Sequence, residues 1–188
     1  MKEKILILLL ILALAVLLIV AAVFYNRLGT DAAPDNLAEE ETASDSAENP
    51  APDITVTDRD GNAVALSDLR GKPVILNFWA SWCGPCKNEM PDFEEAYLEY
   101  GEEIQFLMVN CTDGYQETVE GASAFIDEAG YTFPVYFDTD RSAASTYGAS
   151  SIPMTFFIDR EGNLAAYAKG MLDRDSLQKG IDKILPSE

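Results

Sequence analysis

The stretch Asn77–Pro91, NFWASWCGPCKNEMP, places Cys83 and Cys86 two residues apart at the end of an apolar run. Upstream, PVILNFWA (73–80) is short, apolar and rich in β-branched and aromatic residues, the pattern of a fully buried strand. Downstream, the pattern predicts a helix from about Pro85 to Tyr100. The first cysteine therefore falls where a strand ends and a helix begins. A helix N-terminus carries roughly half a positive charge and unsatisfied N–H groups, which favour a thiolate. Two intervening residues bring the second cysteine one turn along, within disulfide reach. Gly84 is expected to allow the tight turn. Pro85 suits a first helical turn, where its missing N–H costs nothing.

The rest of the composition narrows what such a pair can do. The 188-residue chain has three cysteines and no histidine. A c-type haem motif needs CxxCH, and Lys87 follows Cys86. A structural zinc site needs four Cys or His ligands. A Ser/His or Cys/His hydrolase has no base of the usual kind. The formal charge of −19 repels phosphate backbones and argues against nucleic-acid binding. A CxxC at a strand-to-helix junction with no further metal ligands reads as a redox pair, and no cofactor is expected.

Three regions are predicted along the chain. Residues 1–27 are expected to form an N-terminal membrane anchor; the alternative is a cleaved signal peptide, whose apolar region would be shorter, about 7–15 residues. Within residues 1–27, Ile5 to Phe24 are twenty consecutive apolar residues, long enough at ~1.5 Å per residue to cross a bilayer core. Lys2 and Lys4 precede the run and only Arg27 follows closely, so the N-terminus is expected in the cytoplasm and the remainder outside. Residues 28–52 are acidic, rich in Ala, Ser and Pro, and nearly devoid of large apolar side chains, and are expected to be a disordered tether. Residues 53–188 read as one globular domain. ITVTD and AVAL flank the turn RDGN; IQFLMVNC (104–111) is a second buried strand; YQETVEGASAFIDEAG (115–130) reads as a helix with Val119, Ala122, Phe125, Ile126 and Ala129 on one face and Gly130 as its stop. A short strand FPVYFD, a short helix DRSAASTYG, a hairpin around Arg160–Gly162 and a closing helix capped by Asp173 or Asp175 complete it. The order β-β-β-α-β-α-β-α-β-β-α predicts an α/β fold with a mixed sheet flanked by helices.

FWASWCGPCK resembles the active-site segment of thioredoxin, including the Gly-Pro dipeptide, and Pro91 matches the proline within the thioredoxin active-site helix. SSIPMTFFIDREGN resembles the segment carrying that family's cis-proline, which would be Pro153, and Gly170 also fits. With the N-terminal β-hairpin, the inserted helix and the anchor, the chain resembles the TlpA/ResA group of extracytoplasmic thiol-disulfide oxidoreductases over roughly Ala51 to Leu185. The resemblance implies a thioredoxin fold, Cys83 as nucleophile, Cys86 as resolving thiol, and a Cys83–Cys86 redox disulfide. It implies that Trp82 frames the docking surface and that Ile152 backbone groups beside Pro153 meet a partner's extended peptide. The partners implied are protein disulfides, such as apocytochrome c or envelope proteins under repair, and a membrane-embedded or other thiol donor.

Three positions where relatives place a carboxylate near the resolving thiol hold Asn77, Gly84 and Met154. Water or a carboxylate elsewhere must then take the Cys86 proton. Glu89 and Lys87 are expected on the surface, Trp79 in the core, and Cys111 as an inert core thiol. The Gly-Pro dipeptide resembles reducing thioredoxins more than strong oxidants, so a reductase is favoured over an oxidase or isomerase using the same residues. A metallochaperone of this fold would use CxxxC and a histidine. A peroxidase relative would use Pro-x-x-x-Thr-x-x-Cys. Neither pattern is present.

Overall fold

Two hairpins in this protein close with the same five-residue pattern, Asp58-Arg-Asp-Gly-Asn62 and Asp159-Arg-Glu-Gly-Asn163. In each, the aspartate carboxylate accepts the backbone N–H of the asparagine four residues on, at 2.8 Å and 2.7 Å. In each the glycine has positive φ, +85° at Gly61 and +89° at Gly162, which a side chain would strain. These turns pin the register of β2 (Thr55–Thr57) on β3 (Ala63–Ala65) and of β7 (Met154–Ile158) on β8 (Leu164–Lys169).

The computed structural model describes residues 37–39 and 49–185. The described strands form one eight-stranded sheet of order β1-β8-β7-β4-β5-β6-β2-β3. The remaining strands are β1 (Leu37–Glu39), β4 (Val74–Trp79), β5 (Gln105–Asn110) and β6 (Val135–Phe137). β4 lies at the centre, parallel to β5 and antiparallel to β7. The helices are α1 (Gly84–Tyr100), α2 (Val119–Ala129), α3 (Ser142–Thr146) and α4 (Arg174–Ile184). A 3-10 turn, Leu66–Leu69, follows β3. From β2 onward the order of strands and α-helices is the one expected from the sequence. It is a thioredoxin fold with an N-terminal hairpin and an inserted helix.

Every residue of β4 is buried because both faces of the central sheet are covered. Ile75 and Trp79 pack with Phe106 and Met108 of β5 against α1 and α4. Val74, Leu76 and Phe78 pack on the other side with Leu107, Val109, Tyr147 and the N-terminal hairpin. Asn77 shares the Ile75/Trp79 face by the two-residue period of a strand and so points at α1. α1 buries Cys86, Glu89, Met90, Phe93 and Ala96, the three-to-four spacing of one helical stripe. Asp173, rather than Asp175, caps α4 by accepting from Ser176 N–H at 2.9 Å. On α2, Ala122 and Ile126 are buried, whereas Ala129, expected on that face, is exposed at the helix end.

The segment 28–52 departs from its expected disorder at both ends of its described part. Leu37–Glu39 pairs antiparallel with Ala166–Ala168 of β8. Farther on, Pro50 bridges Asn163, and Ala51 N–H donates to Gly162 O at 2.9 Å. Strand addition uses backbone groups, and β8 offers an otherwise open edge, so a sequence poor in apolar side chains can still pair there. Ala51 is buried, which brings the domain's start ahead of Asp53. The apolar run Ile5–Phe24, the residues before it and the rest of the acidic segment lie outside the described residues. Among the described residues no helix is long and apolar enough to cross a membrane.

Candidate active site

Cys83 is the N-cap of α1, and its Sγ accepts the backbone N–H of Cys86 at 3.2 Å. Cys83 and Cys86 form a disulfide across Cα atoms 5.3 Å apart. Cys86 is fully buried and Cys83 is 4% exposed, so the outer sulfur is the one a partner can reach. The N–H aimed at Cys83 Sγ, together with the positive end of a helix of seventeen residues, would stabilise a thiolate there after reduction.

The Ile152–Pro153 peptide bond is cis, and the Ile152 carbonyl oxygen lies 3.7 Å from Cys83 Sγ. The disulfide sulfur carries no proton, so this is a close contact rather than a hydrogen bond. Trp82 is 50% exposed beside the cysteine, and Met171, next to Gly170, is a second exposed apolar side chain. Gly170 N–H donates to Pro153 O at 2.9 Å, which ties the loop before α4 to the cis-proline loop. Pro85 stands in the first turn of α1. Gly84 differs from its expected role: its φ is outside the left-handed region, and a Cβ there would meet open space, so the turn does not require glycine. Lys87 is exposed and Trp79 fully buried.

Glu89 overturns its expected surface position. It is 1% exposed, and its carboxylate accepts from Asn77 Nδ2 at 2.9 Å and from Leu172 N–H at 2.9 Å. Burial pushes its carboxyl up to about 8, the Asp92 charge adds to this, and the two hydrogen bonds oppose it. Glu89 follows Cys86 by three residues on the buried stripe of α1, so both project from one helix face. The signal was present in the sequence, since Glu89 falls between Cys86 and Phe93 at core spacing. It was masked by the general rule that carboxylates stay outside.

A second carboxylate also went unrecognised. Glu117 is buried and accepts from Ser81 N–H at 2.9 Å, Ser81 Oγ at 2.7 Å and Asn110 Nδ2 at 2.6 Å. It clamps the turn that carries Trp82 and Cys83. Cys111 packs half-buried against the core, and its thiol is pushed up to about 12, chiefly by burial and then by the Asp138 charge, which makes it inert. Among the described residues no group of three Cys, Asp or Glu side chains is placed to hold a metal.

Residues 47–167 match the AhpC/TSA family. The chain belongs to the AhpC/TSA family. Among curated proteins, the thiol-disulfide oxidoreductase ResA of Bacillus anthracis is 35% identical over 137 residues, covering 72% of this chain and 77% of that one. Among solved structures, the exposed lipoprotein thioredoxin Etrx1 of Streptococcus pneumoniae is 34% identical with a TM-score of 0.58, covering 70% of this chain and 99% of that one. StoA of Bacillus subtilis is 25% identical with a TM-score of 0.61, covering 72% and 100%. For an AhpC/TSA member, the surroundings of Cys83 are those of a dithiol enzyme. Leu76 and Ala80 stand where a peroxidatic cysteine would have its proline and threonine.

Proposed function

We propose that this protein is a thiol-disulfide oxidoreductase that reduces protein disulfides on the outer side of a cell membrane. The observation that carries the reading is the placement of the Cys83–Cys86 pair: an outer sulfur at a helix N-terminus beside Ile152, and a buried inner sulfur with Glu89 one turn behind it. In the dithiol state the Cys83 thiolate attacks one sulfur of a partner disulfide. The partner's S–S bond breaks, its leaving sulfur departs as a thiolate, and a mixed disulfide forms on Cys83. Cys86 then gives its proton to Glu89, and its thiolate attacks Cys83 Sγ. The second partner sulfur leaves, the Cys83–Cys86 disulfide forms, and two electrons have passed to the partner. Solvent protonates the partner thiolates, and an external dithiol returns the pair to its reduced state.

Trp82 and the Ile152 backbone are the groups that would meet the partner's chain, in the manner of strand addition. The apolar run Ile5–Phe24 supports a single-pass anchor in contact with the lipid bilayer, and Lys2 with Lys4 supports a cytoplasmic N-terminus. A membrane-embedded donor would suit a tethered domain, because tethering raises effective concentration. Apocytochrome c during maturation, or envelope proteins under repair, are the substrate classes that fit.

The test is the reduction potential of the pair together with insulin-disulfide reduction by the full chain. A potential of roughly −220 to −300 mV with turnover is expected for a reductase. A value near about −120 mV would make it an oxidase. Reporter fusions after Glu48 that are active in the cytoplasm would overturn the topology.

A further inference from the structure

Asn77 and Thr155 are register partners on the antiparallel pair β4–β7, and both share the sheet face that α1 covers. Their neighbours in that layer are apolar: Ile75, Trp79, Phe157 and Ala168 on the sheet, Met90 and Phe93 on the helix. Polar side chains in such a layer are costly unless hydrogen-bonded. Asn77 Nδ2 donates to Glu89 Oε1 at 2.9 Å and to Thr155 Oγ1 at 3.0 Å. Asn77 Oδ1 is buried and has no hydrogen-bond partner among the described residues.

This arrangement suits an ionised Glu89, because a carboxylate only accepts. Oε1 accepts from Asn77 and Oε2 from Leu172 N–H. It does not suit a neutral Glu89. A protonated carboxyl must donate one O–H, and Oε2 already faces an N–H, so the proton belongs on Oε1. There it would oppose the Nδ2 protons. A half-turn about the Asn77 Cβ–Cγ bond exchanges Oδ1 with Nδ2 and removes the conflict. Oδ1 then accepts from Glu89 Oε1–H and from Thr155 Oγ1–H. The threonine hydroxyl can both donate and accept, so it serves either position.

We propose that the Asn77 side-chain amide is a two-position proton holder for Glu89, turning its nitrogen toward the carboxylate and its oxygen toward the acid, with the Thr155 hydroxyl as pivot. This rests on the reading of Glu89 as acceptor of the Cys86 proton and extends it. Asn77 and Thr155 are positioning residues. They let a buried carboxyl take up and release one proton while it stays hydrogen-bonded in both states. No electrons move in this step. The other groups facing Glu89 are Cys86 and Asp92 on its own helix and the Leu172 N–H from the loop before α4. Asp173 and Arg174, at the start of α4, act on Asp92 rather than directly on Glu89.

The experiment is carbon-13 and nitrogen-15 NMR on the full chain in its disulfide form, where Cys83 and Cys86 do not titrate. The Glu89 carboxyl carbon reports protonation, and nuclear Overhauser contacts report which way the amide points. Contacts from the Asn77 Nδ2 protons to the Thr155 methyl and the Glu89 side chain are expected above the Glu89 midpoint and weakened below it. In Asn77→Leu the midpoint should rise by about one pH unit, because the charged form loses the stronger bond. In Thr155→Ser, which keeps the hydroxyl, the reversal should persist. Contacts that do not change across the titration, or a midpoint unmoved in Asn77→Leu, overturn the proposal. Should Asn77→Leu fail to fold, the wild-type measurement still decides. Insulin reduction separates the two readings: an inactive chain with a pH-driven reversal fails the functional reading, and an active chain with a fixed amide fails this one.

Discussion

Glu89 Oε2 accepts a hydrogen bond from Leu172 N–H across eighty-three residues of sequence, at 2.9 Å. The bond ties the active-site helix α1 to the loop that also contacts the cis-proline through Gly170. A carboxylate whose other oxygen is bonded to the central strand thus connects three of the segments around the disulfide.

Replacing Glu89 by Gln keeps the shape and removes the base. Resolution of the mixed disulfide by Cys86 should slow by roughly 10²-fold at neutral pH. In the wild type that step should quicken as pH rises toward about 8, where Glu89 ionises. The variant should lack this limb and follow only the thiol's own titration. Stopped-flow decay of a mixed disulfide with a fluorescent peptide measures it, and equal rates in both proteins would remove Glu89 from the mechanism.

The same group makes stability depend on pH in a definite direction. Glu89 titrates near 4.5 when unperturbed and near 8 in the fold, so between these values the native state binds the extra proton. Its contribution is fully present below about pH 4.5 and is lost as pH rises through about 8. Urea unfolding of the wild type should therefore show this loss from acid to alkaline pH. Glu89→Gln should flatten that part of the profile and be the more stable protein at pH 9, by a few kcal/mol at most. A wild-type profile with the opposite slope from this group would contradict the burial argument.

Cys111 should behave as a bystander. With its thiol pushed up to about 12, only about one molecule in ten thousand is a thiolate at pH 8. In the reduced full chain, iodoacetamide at pH 8 should label Cys83 well before Cys111, as read by peptide mass spectrometry. Cys111→Ser should leave insulin reduction within a few-fold of wild type.

Gly180 is required by close approach. A Cβ on it would overlap the ring of Phe157, where α4 crosses β7. Gly180→Ala must push the helix off the sheet, at a cost of about 1–3 kcal/mol despite alanine's better helix propensity. Denaturant unfolding should show this loss, and a stabilised variant would mean the contact relaxes freely.

Glu117→Ala should cost about 3 kcal/mol, since it leaves Ser81 N–H and Asn110 Nδ2 without their buried acceptor. Glu117→Gln retains one carbonyl oxygen and should cost less. Chemical unfolding of both variants checks the order, and equal costs would show that the charge, rather than the acceptor, is what the turn needs.

What the sequence determined by itself was whatever rests on local pattern. The apolar run 73–80 holds the strand β4, and α1 has its N-cap at Cys83 because the strand must turn there and Pro85 favours a first turn. Gly130 ends α2 as expected, and the structure shows it in the left-handed conformation. Helical spacing put Cys86 within disulfide reach of Cys83, and the family resemblance implied their pairing. Tertiary structure decided the rest. Glu89 is buried because Asn77 and Leu172, distant in sequence, supply its hydrogen bonds, and no property of residues 84–100 alone announces those donors. Leu37–Glu39 is a strand because β8 presents an edge to it, a fact about the sheet rather than about an acidic segment. Periodicity reports which face a residue occupies, but a polar side chain's position there depends on partners that only the folded chain brings near.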